Sequence, residues 1–139
     1  MNTSASERAS STTDDIELVL PLGHRYIATA RVVAASVGAD LGFDVDQIDD
    51  LRLAVDEAVA VVVDAAPEAG PGRIGIRFAS DTGVLTVRVS ATEVADATPL
   101  TRADIDPLAL RIIEAVADEF EVADGALVIH KRTSAGYGD

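Results

Sequence analysis

The 139-residue chain has no cysteine. That excludes disulfides, thiolate metal sites and a secreted disulfide framework. No apolar run is long enough to span a membrane, because charges interrupt each one. The first fifteen residues are rich in serine and threonine and have no apolar core, so they do not read as a signal peptide. There is no internal repeat, no Walker-type phosphate loop and no run of ligands at metal-binding spacing. His24 and His130 are isolated in the sequence and read as surface residues, with no serine or aspartate arranged for a triad. Bases are scarce, at 11 against 24 acids, and Lys131 is the only lysine. The net charge of -13 disfavours non-specific nucleic-acid binding, since phosphates are repelled. It suits a basic protein partner, or serves solubility alone.

What is present is apolar and periodic. Hydrophobic residues make up 48% of the chain, enough for a packed core in one domain. Residues 1–14 read as a disordered polar tail, 15–132 as the domain and 133–139 as a loose Gly- and Ser-rich tail. Ile16–Leu20 alternates as a strand. His24–Val37 has helical spacing at Ile27, Ala30, Arg31 and Ala34, with Gly38 as the expected stop. A second helix is expected from Val45 to Ala66, on the apolar stripe Ile48, Leu51, Val55, Ala58, Val59 and Val62. The β-branched run Val61–Val63 lowers its intrinsic propensity but does not break the stripe. Arg73–Ala79 and Val84–Val89 alternate around an Asp- and Gly-containing turn and predict a hairpin. Asp106 and Pro107 predict a helix start, with the carboxylate as N-cap. Phe120–Ala123 and Ala126–His130 predict two strands around Asp124–Gly125. This order predicts an α+β two-layer sandwich, a largely antiparallel sheet with three helices on one face.

The stretch LRLAVDEAVAVVVDAA on the second helix, together with ALRIIEAVADEFEV and GALVIHKR, resembles the RsbW/SpoIIAB group of anti-sigma factors. Mycobacterial members look most alike, through the DLRLAVDE stretch at Asp50–Glu57. These proteins are small serine kinases on the GHKL (Bergerat) ATP-binding fold, and the resemblance covers roughly residues 16–132. It implies three nucleotide motifs, and each is altered here. Glu57 matches the family's general base, but the position one turn later, where the family has a magnesium-binding asparagine, holds Val61. A valine offers no oxygen to a hard cation. The Asp-x-Gly-x-Gly motif that binds adenine reads Ala91-Thr92-Glu93-Val94-Ala95, without the acceptor carboxylate or the glycines. The Gly-x-Gly-Leu motif that holds phosphate reads Pro107-Leu108-Ala109-Leu110, and Pro107 has no N–H to donate. Glu93, Asp96, Asp104 and Asp106 are expected near the segment that would close over the phosphates, opposed by Arg102 alone.

The resemblance further implies that Arg31 lies on the surface meeting the sigma factor and its antagonist, with Arg25 nearby. The bland alternative for Arg31 is an arginine snorkelling from a buried face. Asp46 and Asp49, with Asp44 and Asp50, form an acidic group at the start of the second helix. The expected function is a cytoplasmic anti-sigma factor, a homodimer, that sequesters an alternative sigma factor without ATP and is released by a STAS-type anti-anti-sigma antagonist. No cofactor, metal, nucleic acid or membrane is expected. One alternative is an active serine/threonine kinase using Glu57 as base with Mg–ATP. Another is a non-catalytic GHKL-like module serving a different signalling protein. The competing reading of Asp56 and Glu57 is as solvated residues on the polar helix face.

Overall fold

The computed structural model describes residues 14–66, 71–94 and 99–133. The expected tails fall outside these residues except for Asp14 and Thr133, as do Ala95 and Asp96. In chain order the elements are β1 (Asp14–Pro21), α1 (Ile27–Asp40), α2 (Val45–Ala65), β2 (Arg73–Asp81), β3 (Val84–Thr92), α3 (Pro107–Val116), β4 (Glu119–Ala123) and β5 (Ala126–Arg132). Short 3₁₀ turns at His24–Tyr26 and Arg102–Asp104 precede α1 and α3. The sheet order is β1-β2-β3-β5-β4, with every pair antiparallel. The predicted order of strands and helices is the observed one.

Alternation along the strands divides the sheet into two faces. Ile74, Ile76 and Phe78 of β2, Leu85, Val87 and Val89 of β3, and Leu127 and Ile129 of β5 are buried in one core. The helices supply the other half of that core, chiefly Ala30 and Ala34 of α1 and Leu51, Val55, Ala58, Val59 and Val62 of α2. Arg77, Thr86, Arg88 and His130 fall on the opposite face by register. Both hairpins close with two residues at positive φ, Thr82 and Gly83 (46° and 80°) and Asp124 and Gly125 (53° and 76°). That is the geometry of type I′ turns, whose twist matches the strands they join.

Helix α2 runs through Val61–Val63 without interruption, because Val61 and Val62 are buried and the helix packs on β3 and β5. Tertiary burial outweighs a propensity deficit of a few tenths of a kcal/mol per valine, roughly. Its start is a capping box: the Asp44 carboxylate accepts from the Gln47 N–H at 2.8 Å, and the Gln47 side chain accepts from the Asp44 N–H at 2.9 Å.

Two expected helix signals act differently. Gly38 does not stop α1, which continues to Asp40. A Cβ there would sit 3.2 Å from both Leu51 and Phe43, so this glycine admits α2 and Phe43 close to α1. The stop is Gly42, at φ 85°. The Phe43 N–H bonds to the Gly38 carbonyl and the Gly42 N–H to the Ala39 carbonyl, the two bonds of a Schellman motif. Asp106 stands at the N-cap of α3, but its carboxylate makes no capping bond.

Candidate functional site

Between α2 and the start of α3 lies a cleft of about 530 Å³. Glu57, Val61 and Asp64 line it from α2, and Asp104, Asp106 and Ala109 from the turn before α3 and its first residues. Glu57, Val61 and Asp64 are spaced four and three residues apart, so one helical face presents all three. That spacing makes Asp64 legible in the sequence once Glu57 is placed. Among the described residues no lysine or arginine lines the cleft. Arg102, the expected counter-charge, instead bonds Glu114 at 3.1 Å and stacks 4.8 Å over the Phe120 ring.

Of the four carboxylates lining the cleft, Glu57, Asp104 and Asp106 make no ion pair with a described residue. Glu57 is held above the ordinary glutamate range, first by burial and then by the negative charges of Asp56 and Asp106. A carboxyl in such a place can hold a proton or take one, which is the chemistry of a general base. Asp64 accepts a hydrogen bond from, or pairs with, His24 Nε2 at 2.7 Å. His24 is therefore a tie between the turn before α1 and the end of α2, not the isolated residue expected. Val61 is buried and turns a hydrocarbon surface to the cleft where a metal would need oxygen. Among the described residues no group of three or more His, Cys, Asp or Glu is placed to hold a metal ion. The residues present do not fit a magnesium–triphosphate group.

The expected nucleotide positions do not share one cavity. Ala91 lines a second one, of about 320 Å³, together with Val62, Val94, Leu100 and Arg88. Ala65 borders both cavities. Glu93 lines neither, and its exposed carboxylate lies 3.9 Å from Arg73. Its φ of 57° is nonetheless the left-handed conformation that a glycine adopts without strain. This is a position at which the RsbW-type resemblance implies a glycine. Pro107 is exposed at the first position of α3 and is not a wall of the cleft, whereas Ala109 is.

On the other side of α2, Arg31 donates from Nε to Asp56 Oδ1 at 3.0 Å, half-buried between α1 and α2. Asp56 is thus engaged rather than freely solvated. The pair raises the Arg31 pKa further, through the hydrogen bond and then the charge of Asp56. Arg25 is exposed and lies 5.4 Å from the Tyr26 ring centroid. The acidic group at the start of α2 is divided among tasks: Asp44 caps, Asp49 lies 3.6 Å from Arg52, and Asp50 lies 3.5 Å from Lys131. Asp46 is exposed in the first turn, where the helix dipole favours an acid. His130 is also partnered, with Thr86 Oγ1 at 3.1 Å and Glu121 at 3.8 Å.

Residues 20–130 match the histidine kinase-like ATPase domain family, and the chain belongs to that family. It is similar to the serine-protein kinase RsbW of Bacillus thuringiensis (strain Al Hakam), Bacillus cereus (strain AH820) and Bacillus anthracis (strain CDC 684 / NRRL 3495). Identity to each is 34% over 65 residues, which is 47% of this chain and 41% of the relative. The match therefore spans less than half the length of these curated relatives. The RsbW-type resemblance and the α+β fold expected from sequence are both supported. No helix among the described residues is long and apolar enough to cross a membrane.

Proposed function

We propose that the chain is an anti-sigma factor that works by binding alone: it sequesters an alternative sigma factor, is released by a STAS-type antagonist, and uses no ATP. The observation that carries this reading is the cleft. Glu57, Asp64, Asp104 and Asp106 line it with no lysine or arginine among the described residues, and Val61 closes the metal position with hydrocarbon. A triphosphate brought there meets like charge in a partly desolvated space, where repulsion is weakly screened. The similarity to RsbW proteins supports the regulatory class, and the net charge of -13 suits a basic partner. Arg31, held at the α1–α2 seam, is the proposed anchor, with Arg25, Asp46 and Asp49 at the rim. The proposed unit is a cytoplasmic homodimer.

One observation favours a second reading, an active serine kinase. Glu57 lies part-buried in the cleft with a raised pKa, as a general base requires.

Co-purification from the native cell, with and without added Mg–ATP, separates the two. The binding reading expects a sigma factor among the partners identified by mass spectrometry, in a complex whose mass contains two copies of this chain. It expects that yield to be indifferent to ATP and the co-purified antagonist to carry no new phosphate. Absence of any sigma factor, or ATP-dependent phosphorylation of the antagonist, would contradict it.

A further inference from the structure

The sheet has two edges, and they are not alike. β4 is short, and its Glu119 and Glu121 are exposed. Short, charged edge strands resist pairing with another chain. β1 has none of these guards. It pairs with β2 along its whole length, from Asp14 to Pro21, without a bulge. It has no lysine, and its proline is the last residue. Among the described residues no strand lies on its other side, so its outward N–H and C=O groups form a template. Apolar surface gathers along the same edge. Ile16 is 44% exposed and Val19 49%. Beside Ile16 a groove of about 300 Å³ opens against the end of α1, lined by Val37, Leu41, Phe78 and Leu85. The exposed residues Val32, Ser36 and Ala39 share one face of α1 by their spacing and carry no charge. Charged residues make up 25% of the chain, so an uncharged exposed face of that length differs from the rest of the surface.

We propose that a second copy of the chain docks on this edge, β1 against β1, so that the two sheets run on as one. The inference rests on the homodimer of the proposed function and assigns its interface. A second copy is the fitting occupant because β1 is complementary to itself. A two-fold axis normal to the sheet makes the new pair antiparallel and keeps both helix layers on one side. Ile16, Leu18 and Leu20 lie on the helix side, in register with Phe78, Ile76 and Ile74, while Glu17 and Val19 lie on the outer face. Facing residues must share a face, so the axis falls on one residue of β1. On Glu17 it sets two glutamates opposite each other, which is unfavourable. On Val19 it shortens the overlap to Glu17–Pro21. On Leu18 the overlap runs from Asp15 to Pro21: Leu18 meets its own copy, Ile16 meets Leu20, and Glu17 meets Val19. Leu18 is therefore the centre. A paired strand alone is small beside the roughly 1,200–2,000 Å² that specific interfaces bury. The groove at Ile16 and the uncharged face of α1 are the surface that supplies the remainder.

Sedimentation equilibrium of the full chain tests this, with substitutions at Glu17 and Val19. Both side chains are exposed, so the variants keep the core intact. The unaltered chain is expected to be a dimer at micromolar concentration. Val19→Glu sets a glutamate opposite Glu17 twice across the axis and should weaken dimerisation about tenfold. Adding Glu17→Lys to Val19→Glu should restore it, because each lysine then faces a glutamate. An unaltered chain that stays monomeric at high micromolar concentration would overturn the interface and the homodimer together, and would leave the edge to a strand of another protein. A dimer indifferent to Val19→Glu, or one not restored by the second substitution, would overturn the interface alone and leave the homodimer standing.

Discussion

Glu57 is the residue where structure and chemistry pull against each other. Its carboxyl faces the cleft beside Asp106 and adjoins Asp56, and its pKa is raised by burial and by those two charges. An acid with a raised folded pKa binds its proton more tightly in the folded than in the unfolded chain. Its contribution favours folding below the ordinary value of 4.5 and is lost as pH rises through the folded pKa. Glu57→Gln, which removes the charge and keeps the shape, should be more stable than the parent at pH 7. The difference should vanish below that ordinary value, where both side chains are neutral. Urea unfolding at pH 4 and pH 7 measures it; a variant less stable at pH 7 would show that the charge is compensated. The valine four residues on is legible in the sequence because helix spacing puts it on the face of Glu57, and the RsbW-type resemblance implies a metal-binding asparagine there. The His24–Asp64 pair is not legible in that way. Helix spacing places Asp64 on the face of Glu57, but only the fold brings the turn before α1 to the end of α2.

At the scale of elements, Lys131 is a joint. It is the chain's only lysine and is almost wholly buried. Its ammonium donates to the carbonyl of Val116, the last residue of α3, at 2.9 Å, and lies 3.5 Å from Asp50 of α2. A cation at a helix C-terminus meets the negative end of the dipole. β5 thereby holds the end of one wall of the cleft against the other. Lys131→Met keeps the stem but leaves the Val116 carbonyl unpaired, and should cost roughly 1–2 kcal/mol. Faster amide hydrogen exchange confined to the last turn of α3 would accompany it; unchanged stability and exchange would show that the joint carries no strain-bearing role. The elements themselves were readable because each obeys its own period. Helix α2 kept its stripe through Val61–Val63, and both hairpins carried a glycine where φ is positive. The signals that misled were single residues with two meanings. Gly38 reads as a helix stop but serves close helix packing, and Asp106 reads as a cap but turns its charge toward the cleft.

At the scale of the molecule, the chain belongs to the histidine kinase-like ATPase domain family, and its cleft between α2 and α3 is lined by acids and hydrocarbon. Hydrocarbon stands at Val61, and four carboxylates line a cleft that no lysine or arginine among the described residues lines, while Glu93 holds a left-handed bend outside it. These features are what the sequence showed as separate motif losses; the structure adds that Ala91 and Val61 belong to adjoining cavities and that Glu93 and Pro107 line neither. A cleft lined by acids supports the proposal of a protein that works through what it binds on its surface. The central claim is that nucleotide plays no part, and isothermal titration of the full chain with Mg–ATP and Mg–ADP tests it most directly. The account predicts no saturable heat up to millimolar nucleotide, whereas a saturable isotherm with micromolar affinity would contradict it and favour the kinase that uses Glu57 as base.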